Sequence, residues 1–147
     1  MLTRGAAFAV LVIPYALDAF PEVAYALCRG LDEHDWWHPR TGIGARGETP
    51  LAAARRVAAV RDADLIALES RAFVAVERCR GRALSEHAFG ARVDPAALPE
   101  PRGERQLWVS YDVADGLLHR EAERNALWEL RHRLGAKAAC GPKRRDR

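Results

Sequence analysis

Residues 42–63 read GIGARGETPLAAARRVAAVRDA, a glycine-rich stretch that passes directly into a run of alanine and arginine. Thr49 followed by Pro50 marks a helix start, because a threonine side chain caps free backbone N–H groups and proline suits the first helical position. The apolar residues that then recur at helical spacing are Leu51, Ala54 and Ala58. The stretch predicts a glycine-rich loop followed by a helix from Thr49 to about Ala63.

Strand-like segments lie on both sides of this helix. They are rich in β-branched and aromatic residues and cover residues 6–15, 23–28, 65–70, 71–77, 87–94 and 106–111. The first two, Ala6–Tyr15 and Val23–Cys28, predict a hairpin around a turn at Asp18–Pro21.

Two helices follow the last strand. Ser110 or Asp112 can cap a helix over Val113–Leu118, and Glu121–Leu134 is a second helix that Gly135 should stop. The residues on one face of that second helix are Leu127, Leu130 and Leu134. The order of strands, helix, strands and helices is typical of an α+β fold.

The composition indicates one globular domain. The chain has 147 residues, 49% hydrophobic and 29% charged, which excludes wholesale disorder. We expect a single domain over residues 1–136 and a basic, flexible tail over residues 137–147. Ala6–Tyr15 is too short for a membrane span and lacks a cleavage site, so we expect a cytoplasmic protein without membrane association.

Charge and cysteine content narrow the function classes. The formal net charge is +3, but the short tail carries much of the excess, so nucleic acid is not favoured as a partner. Three cysteines, far apart and without a C-x-x-C pair, argue against a disulfide framework or a zinc site. They are Cys28, Cys79 and Cys140.

The spacing around the predicted helix resembles the Nudix box. Gly42 is followed by five residues and Glu48, and seven more lead to Arg56, as in the family pattern. The segments VLVIPYALD, AYALCR, WVSYDVADGLL and NALWEL resemble the opening hairpin and the closing strand and helix of the family. The resemblance implies a Nudix-type α/β/α sandwich, with a small mixed β-sheet between helices, and leaves a homodimer open.

The chain departs from this family where the family binds metal. The positions of the three metal-binding glutamates are Val57, Val60 and Arg61 here. Helical spacing would place these positions on one face, where diphosphate hydrolysis needs carboxylate oxygens to hold Mg²⁺. Valine supplies no oxygen ligand and arginine repels a cation. We therefore expect no Mg²⁺ or Mn²⁺ cofactor and no ordinary Nudix diphosphatase activity, unless a shifted metal site exists.

Glu48 is the candidate that survives in the box. It could act as a general base or metal ligand, or it could form an ion pair with Arg56 that fixes the loop. A shifted metal site would draw on Glu48, Asp62, Asp64 and Glu69. Glu104, just before the last strand, could substitute for a further acid of the family.

Other candidates concern binding and proton transfer. Arg61 and Arg56 could hold an anion through their planar guanidinium groups, and Trp36 or Trp37 could stack on a flat ring. His38 is a candidate acid–base group.

Two function classes follow from these residues. The first is a binding protein that takes a nucleotide-like or other anionic small molecule, or a protein partner, in the former active-site cleft. The second is an enzyme, either a hydrolase of nucleoside-diphosphate-type substrates with a rebuilt metal site or a metal-free biosynthetic catalyst.

Overall fold

The computed structural model describes residues 8–17, 22–32, 34–75 and 82–139. Within these ranges there are six strands and three α-helices. The strands are β1 (Phe8–Ala16), β2 (Ala24–Gly30), β3 (Arg40–Ile43), β4 (Asp64–Ala75), β5 (Ala83–Arg92) and β6 (Glu104–Val109). The helices are α1 (Pro50–Ala58), α2 (Tyr111–Leu117) and α3 (Glu121–Ala139).

The sheet is mixed and is organised around β1. Strand β5 pairs with β1 in parallel, and β2 and β3 pair with it antiparallel at its two ends. Strand β4 continues the sheet beyond β5, and β6 continues it beyond β2. The predicted α+β class with a mixed sheet is confirmed.

Helices cover both faces of the sheet because β1 alternates its buried side chains. Leu11, Ile13 and Tyr15 join the core that packs against α2 and α3. Val10 and Val12 join a second core with the alanines of α1. The result is the predicted α/β/α sandwich, and no helix among the described ranges is long and apolar enough to cross a membrane.

The predicted end of the first helix is wrong. Thr49 caps α1 as expected, accepting a hydrogen bond from the Ala52 N–H, but the helix ends at Ala58 rather than about Ala63. Ala59 adopts a left-handed conformation with φ of 63°. The Arg55 guanidinium bonds the carbonyl oxygen of Ala63 at 3.1 Å, and this bond supports a turn in place of another helical turn.

Other boundaries also differ from the sequence predictions: β5, β6 and α2 begin two to four residues earlier than expected. Strand β3 forms inside the glycine-rich loop, where pairing with β1 supplies backbone hydrogen bonds that the local sequence does not signal. The two segments predicted over residues 65–77 contribute to one bulged strand, β4, as far as Ala75. Helix α3, which packs against β4 and β5, continues through Gly135 to Ala139. The predicted turn at Asp18–Pro21, and the tail beyond Ala139, lie outside the described residues.

Candidate functional site

A polar cavity of about 430 Å³ lies between the sheet and the start of α3. We call it the polar cavity throughout. Its lining residues are Ala9, His38, Thr41, Gly42, Ile43, Val74, Glu86, Arg120 and Glu123. Four elements of the sheet and one helix contribute to it, so the cavity depends on tertiary packing rather than on one loop.

Three charged side chains form the floor of the polar cavity. Arg120 Nη2 donates to Glu86 Oε1 at 2.9 Å, and Arg120 Nη1 donates to Glu123 Oε2 at 3.3 Å. Both carboxylate side chains are only 4% exposed, whereas that of Arg120 is 31% exposed. One guanidinium therefore serves two buried carboxylates, which leaves the cluster with one acid in excess.

The fold explains how these residues meet. Glu86 lies on β5 beside Ala9 of β1, and Arg120 immediately precedes α3. Glu123 lies in the first turn of α3 and shares its buried face with Leu127 and Leu130. None of the three charged residues was singled out from the sequence. The available signal was the acidic residue at position 123 on a helix face that is otherwise apolar.

Burial gives Glu123 an unusual proton affinity. Desolvation raises the pKa of its carboxyl above the ordinary value of 4.5, although the charge of Arg120 works in the opposite direction. A carboxyl group in this position can accept a hydrogen bond when ionised and donate one when protonated. The polar cavity is therefore suited to neutral or cationic polar groups that carry N–H donors.

His38 stands at the rim of the polar cavity. Its Nδ1 lies at hydrogen-bond distance from the carbonyl oxygen of Pro39, which fixes the proton on Nδ1 when the ring is neutral. Its Nε2 lies 3.7 Å from Glu104 Oε2, and both side chains are 30% exposed. The predicted acid–base candidate thus lies beside Glu104, and it acts on Glu123 only as a minor electrostatic influence.

Glu48 is engaged by the ion pair with Arg56. Arg56 Nε and Nη2 each donate to its carboxylate at 2.8 Å, and the Ala45 N–H donates to it at 2.7 Å. The hydrogen bonds from Arg56 and Ala45 lower the pKa of Glu48 to about 2. Arg56 also reaches the carbonyl oxygen of Ile43, so the pair ties the loop to α1.

The three positions that the resemblance aligns with the family's glutamates, 57, 60 and 61, lie around the end of α1. Val57 packs closely against Gly42 of β3, where an added Cβ would lie 2.6 Å from the valine side chain. Val60 and Arg61 follow Ala59 and therefore lie outside the helix. The expectation that all three share one helix face is wrong, because the helix ends before the second and third.

The alternative metal ligands do not converge. Asp64 pairs with Arg92, at the Tyr15 end of β1, whereas the loop that carries Glu48 joins β1 at Phe8, the opposite end. Asp62 lines a cavity at the Asp64 end. Glu69 lies near Arg133 of α3 and is 90% exposed. No group of three potential ligands comes together anywhere in the described part of the chain.

The two tryptophans lie away from the polar cavity lining. Trp36 is 61% exposed and stacks on His119 with a centroid distance of 4.0 Å. Trp37 packs against the core below Arg29, whose guanidinium lies 4.9 Å from the ring centroid. One face of each ring is therefore taken by the protein itself, and stacking on a ligand stays a prediction.

Comparison with solved structures identifies the architecture. A candidate NUDIX hydrolase from Listeria monocytogenes is 23% identical, with a TM-score of 0.73 over 88% of this chain and 95% of that one. A C. elegans Ap4A hydrolase is 17% identical, with a TM-score of 0.70 over 88% and 98%. The E. coli dihydroneopterin triphosphate pyrophosphohydrolase is 20% identical, with a TM-score of 0.67 over 86% and 95%.

The sequence itself gives no such match. No protein-family model matches it, and no curated protein matches it. The three-dimensional likeness, over most of both chains in each case, carries the assignment. The chain therefore has the fold of the Nudix hydrolases.

Proposed function

We propose that this protein binds a small nucleotide-like molecule in the polar cavity without a divalent metal, and that it is not a Mg²⁺-dependent diphosphatase. The observation that carries the proposal is the buried cluster of Glu86, Arg120 and Glu123 at the floor of the cavity. Burying two carboxylates with one cation costs free energy, whereas apolar side chains would fill the same space without that cost. Sites that recognise polar ligands are a common reason for such a cluster.

The donor set at the family's metal positions supports the absence of a metal. Mg²⁺ takes oxygen ligands in near-octahedral geometry, and Val57 and Val60 offer none. Arg61 brings a positive charge instead. Glu48 lies on the loop before α1, and both of its oxygens already accept from Arg56. The residues present at these positions do not fit Mg²⁺.

The charged residues of the cavity favour a ligand group that carries N–H donors over an anionic group. Arg120 is already shared by two carboxylates, so the floor offers acceptors rather than a free cation. We therefore expect the heterocycle of a nucleotide-like ligand to enter, with N–H groups facing Glu86 and Glu123. Two structural neighbours, by name, act on Ap4A and dihydroneopterin triphosphate, which supports this substrate class for the fold.

A metal-free enzyme is the second candidate. His38 faces Glu104, and Glu123 has a raised pKa, which is the pairing of titratable groups that acid–base catalysis uses. Under this hypothesis His38 takes or gives the proton at Nε2, and Glu123 orients the substrate from the floor of the cavity. The cytoplasmic location and the homodimer stay predictions.

Calorimetric titration distinguishes metal-free ligand binding from a rebuilt metal site. We expect no binding of Mn²⁺ or Mg²⁺ to the wild-type protein, and binding of nucleosides such as guanosine in the presence of chelator. The Glu123→Gln variant should weaken nucleoside binding, and Glu121→Gln, an exposed glutamate of the same helix turn, should not. Tight Mn²⁺ binding that disappears in Glu48→Gln would overturn the proposal and support a rebuilt metal site.

A further inference from the structure

A shallow groove of about 590 Å³ runs along the outer side of α1 and the turn that follows it. We call it the α1 groove. Its residues are Thr49, Leu51, Ala52, Arg55, Arg56, Ala59, Val60 and Arg61. We refer to its apolar residues as the floor and to its three arginines as the rim. This surface is separate from the polar cavity, with which it shares no residue.

The positive charge of the rim is only partly compensated. Arg56 is matched by Glu48. Arg55 donates from Nη1 to the carbonyl oxygens of Arg61 and Ala63, which are neutral and leave its charge unbalanced. Arg61 is exposed, with its guanidinium in contact with no acid among the described residues. Two uncompensated guanidinium groups therefore border the floor.

The floor exposes apolar surface beside these charges. Leu51 is 48% exposed, and Ala52 and Ala59 are also exposed, although Val60 is half-buried. A contiguous apolar patch rimmed by polar groups is the typical composition of a protein interaction site. Burial of Leu51 under a partner would remove apolar area from water and contribute favourably to binding.

The groove is held in shape before any partner arrives. The left-handed residue Ala59 ends α1, and the Ala59 N–H bonds the carbonyl oxygen of Arg56. The Arg55 guanidinium then bridges to the carbonyl groups beyond the turn. Because the turn is fixed at both ends, docking does not have to order the backbone that carries Arg61.

We infer that the α1 groove docks an acidic segment of a partner protein that presents an apolar side chain between carboxylates. The apolar side chain would lie on Leu51 and Val60, and the carboxylates would pair with Arg55 and Arg61. A nucleic acid fits less well, because phosphate backbones are held by rows of cations and polar groups rather than by an apolar floor.

The test uses the full chain and a defined probe. The probe is a fluorescein-labelled, short helical peptide of Glu, Ala and Leu, with its leucines on one face. We expect saturable binding by fluorescence polarisation in about the ten to hundred micromolar range, as for small transient interfaces. Affinity should fall as salt rises, because ionic screening weakens exposed charge pairs.

Matched variants locate the binding. Arg61→Glu should weaken the affinity at least about fivefold, because it replaces an attraction by a repulsion. The control Arg102→Glu changes the same charge on an exposed loop and should leave the affinity unchanged. Leu51→Ser should also weaken binding, whereas Val113→Ser, at the same 48% exposure on α2, should not. All four side chains are exposed enough for the variants to fold, which circular dichroism checks.

The following three outcomes would overturn the inference. No peptide binding at about millimolar concentration excludes an interface of useful strength. Equal binding of a leucine-free acidic peptide or a thymidine oligonucleotide shows a site for polyanions, and equal losses in Arg61→Glu and Arg102→Glu show non-specific attraction. Glu123→Gln should leave peptide binding unchanged. The peptide titration therefore tests the α1 groove independently of ligand binding in the polar cavity.

Discussion

Arginine has opposite surroundings in the polar cavity and the α1 groove. Arg120 lies between two carboxylates that are almost fully buried, and each of its terminal nitrogens has an acidic partner. Arg61 lies at the surface with no acidic partner among the described residues, beside exposed leucine and alanine. The first guanidinium is required by the charges that the fold buries, and the second is available to charges from outside. Substitution of Arg120 should therefore mainly reduce stability, and substitution of Arg61 should mainly reduce binding.

Removal of Arg120 should have the largest effect on stability. Arg120→Ala leaves Glu86 and Glu123 buried without a cation, and we expect the free energy of unfolding at pH 8 to fall by about 2–4 kcal/mol, below the full buried-pair cost because Arg120 is partly exposed. Chemical denaturation measures this value. Arg124→Ala, which removes an exposed partner of Asp115, should lose much less.

The same variant has a predictable pH dependence. The pKa of Glu123 is already raised above 4.5 in the folded protein. The stability that this shift contributes is therefore fully present below pH 4.5 and is lost as the pH rises through the raised pKa of the folded state. Without Arg120 this loss should grow. The stability deficit of Arg120→Ala should therefore be smaller at pH 5 than at pH 8, and an equal deficit at both would refute the buried-carboxylate explanation.

Removal of Arg55 should have an intermediate effect. Arg55→Ala leaves the carbonyl groups of Arg61 and Ala63 without their donor, and a loss of about 1 kcal/mol in the free energy of unfolding is expected for hydrogen bonds of this kind. Arg102→Ala is the control for the loss of one exposed positive charge. If both variants unfold at the same denaturant concentration, the turn after α1 does not depend on Arg55.

Glu48 should affect the acid limb of the stability curve. Its folded pKa is about 2, below the ordinary 4.5, so its contribution is present above pH 4.5 and is lost as the pH falls towards 2. The thermal midpoint of Glu48→Gln should therefore change less between pH 5 and pH 2 than that of the wild type. Glu121→Gln serves as the comparison, and parallel curves for the wild type and Glu48→Gln would contradict this assignment.

Arg61 should have the smallest effect on stability. Arg61→Ala removes an exposed side chain without an acidic partner, so the free energy of unfolding should stay within about 0.5 kcal/mol of the wild type. Its effect should instead be seen in the peptide titration, where the wild-type affinity is the reference. A large loss of stability would show that Arg61 supports the fold, and the contrast with Arg120 would disappear.

Much of the fold was predictable because it follows local patterns. Continuous apolar, β-favouring runs identified β1 and β2, and Thr49–Pro50 identified the start of α1. The end of α1 was not predictable in the same way, since Ala59 is a favourable helix residue and the left-handed turn is supported by the bond from the Arg55 side chain to the Ala63 carbonyl. Strand β3 likewise depends on its partner β1.

The site was less predictable than the fold. The Glu48–Arg56 pair could be expected from the Nudix-box spacing because both residues belong to one loop and helix. Glu86 and Arg120 are 34 residues apart, and nothing local in the sequence relates them. Their contact arises from the parallel pairing of β5 with β1 and from the packing of α3 on the sheet, so only the tertiary structure shows it.

The early end of α1 limits how carboxylates could be arranged in this part of the chain. Glutamates substituted at positions 57, 60 and 61 would place one carboxylate on the helix and two on the turn beyond Ala59. Ligands on a common helix face would additionally need Ala59 to return to right-handed geometry and Arg55 to release its carbonyl partners. Three substitutions alone would thus not place three carboxylates on one helix face, and the obstacle lies in the path of the backbone.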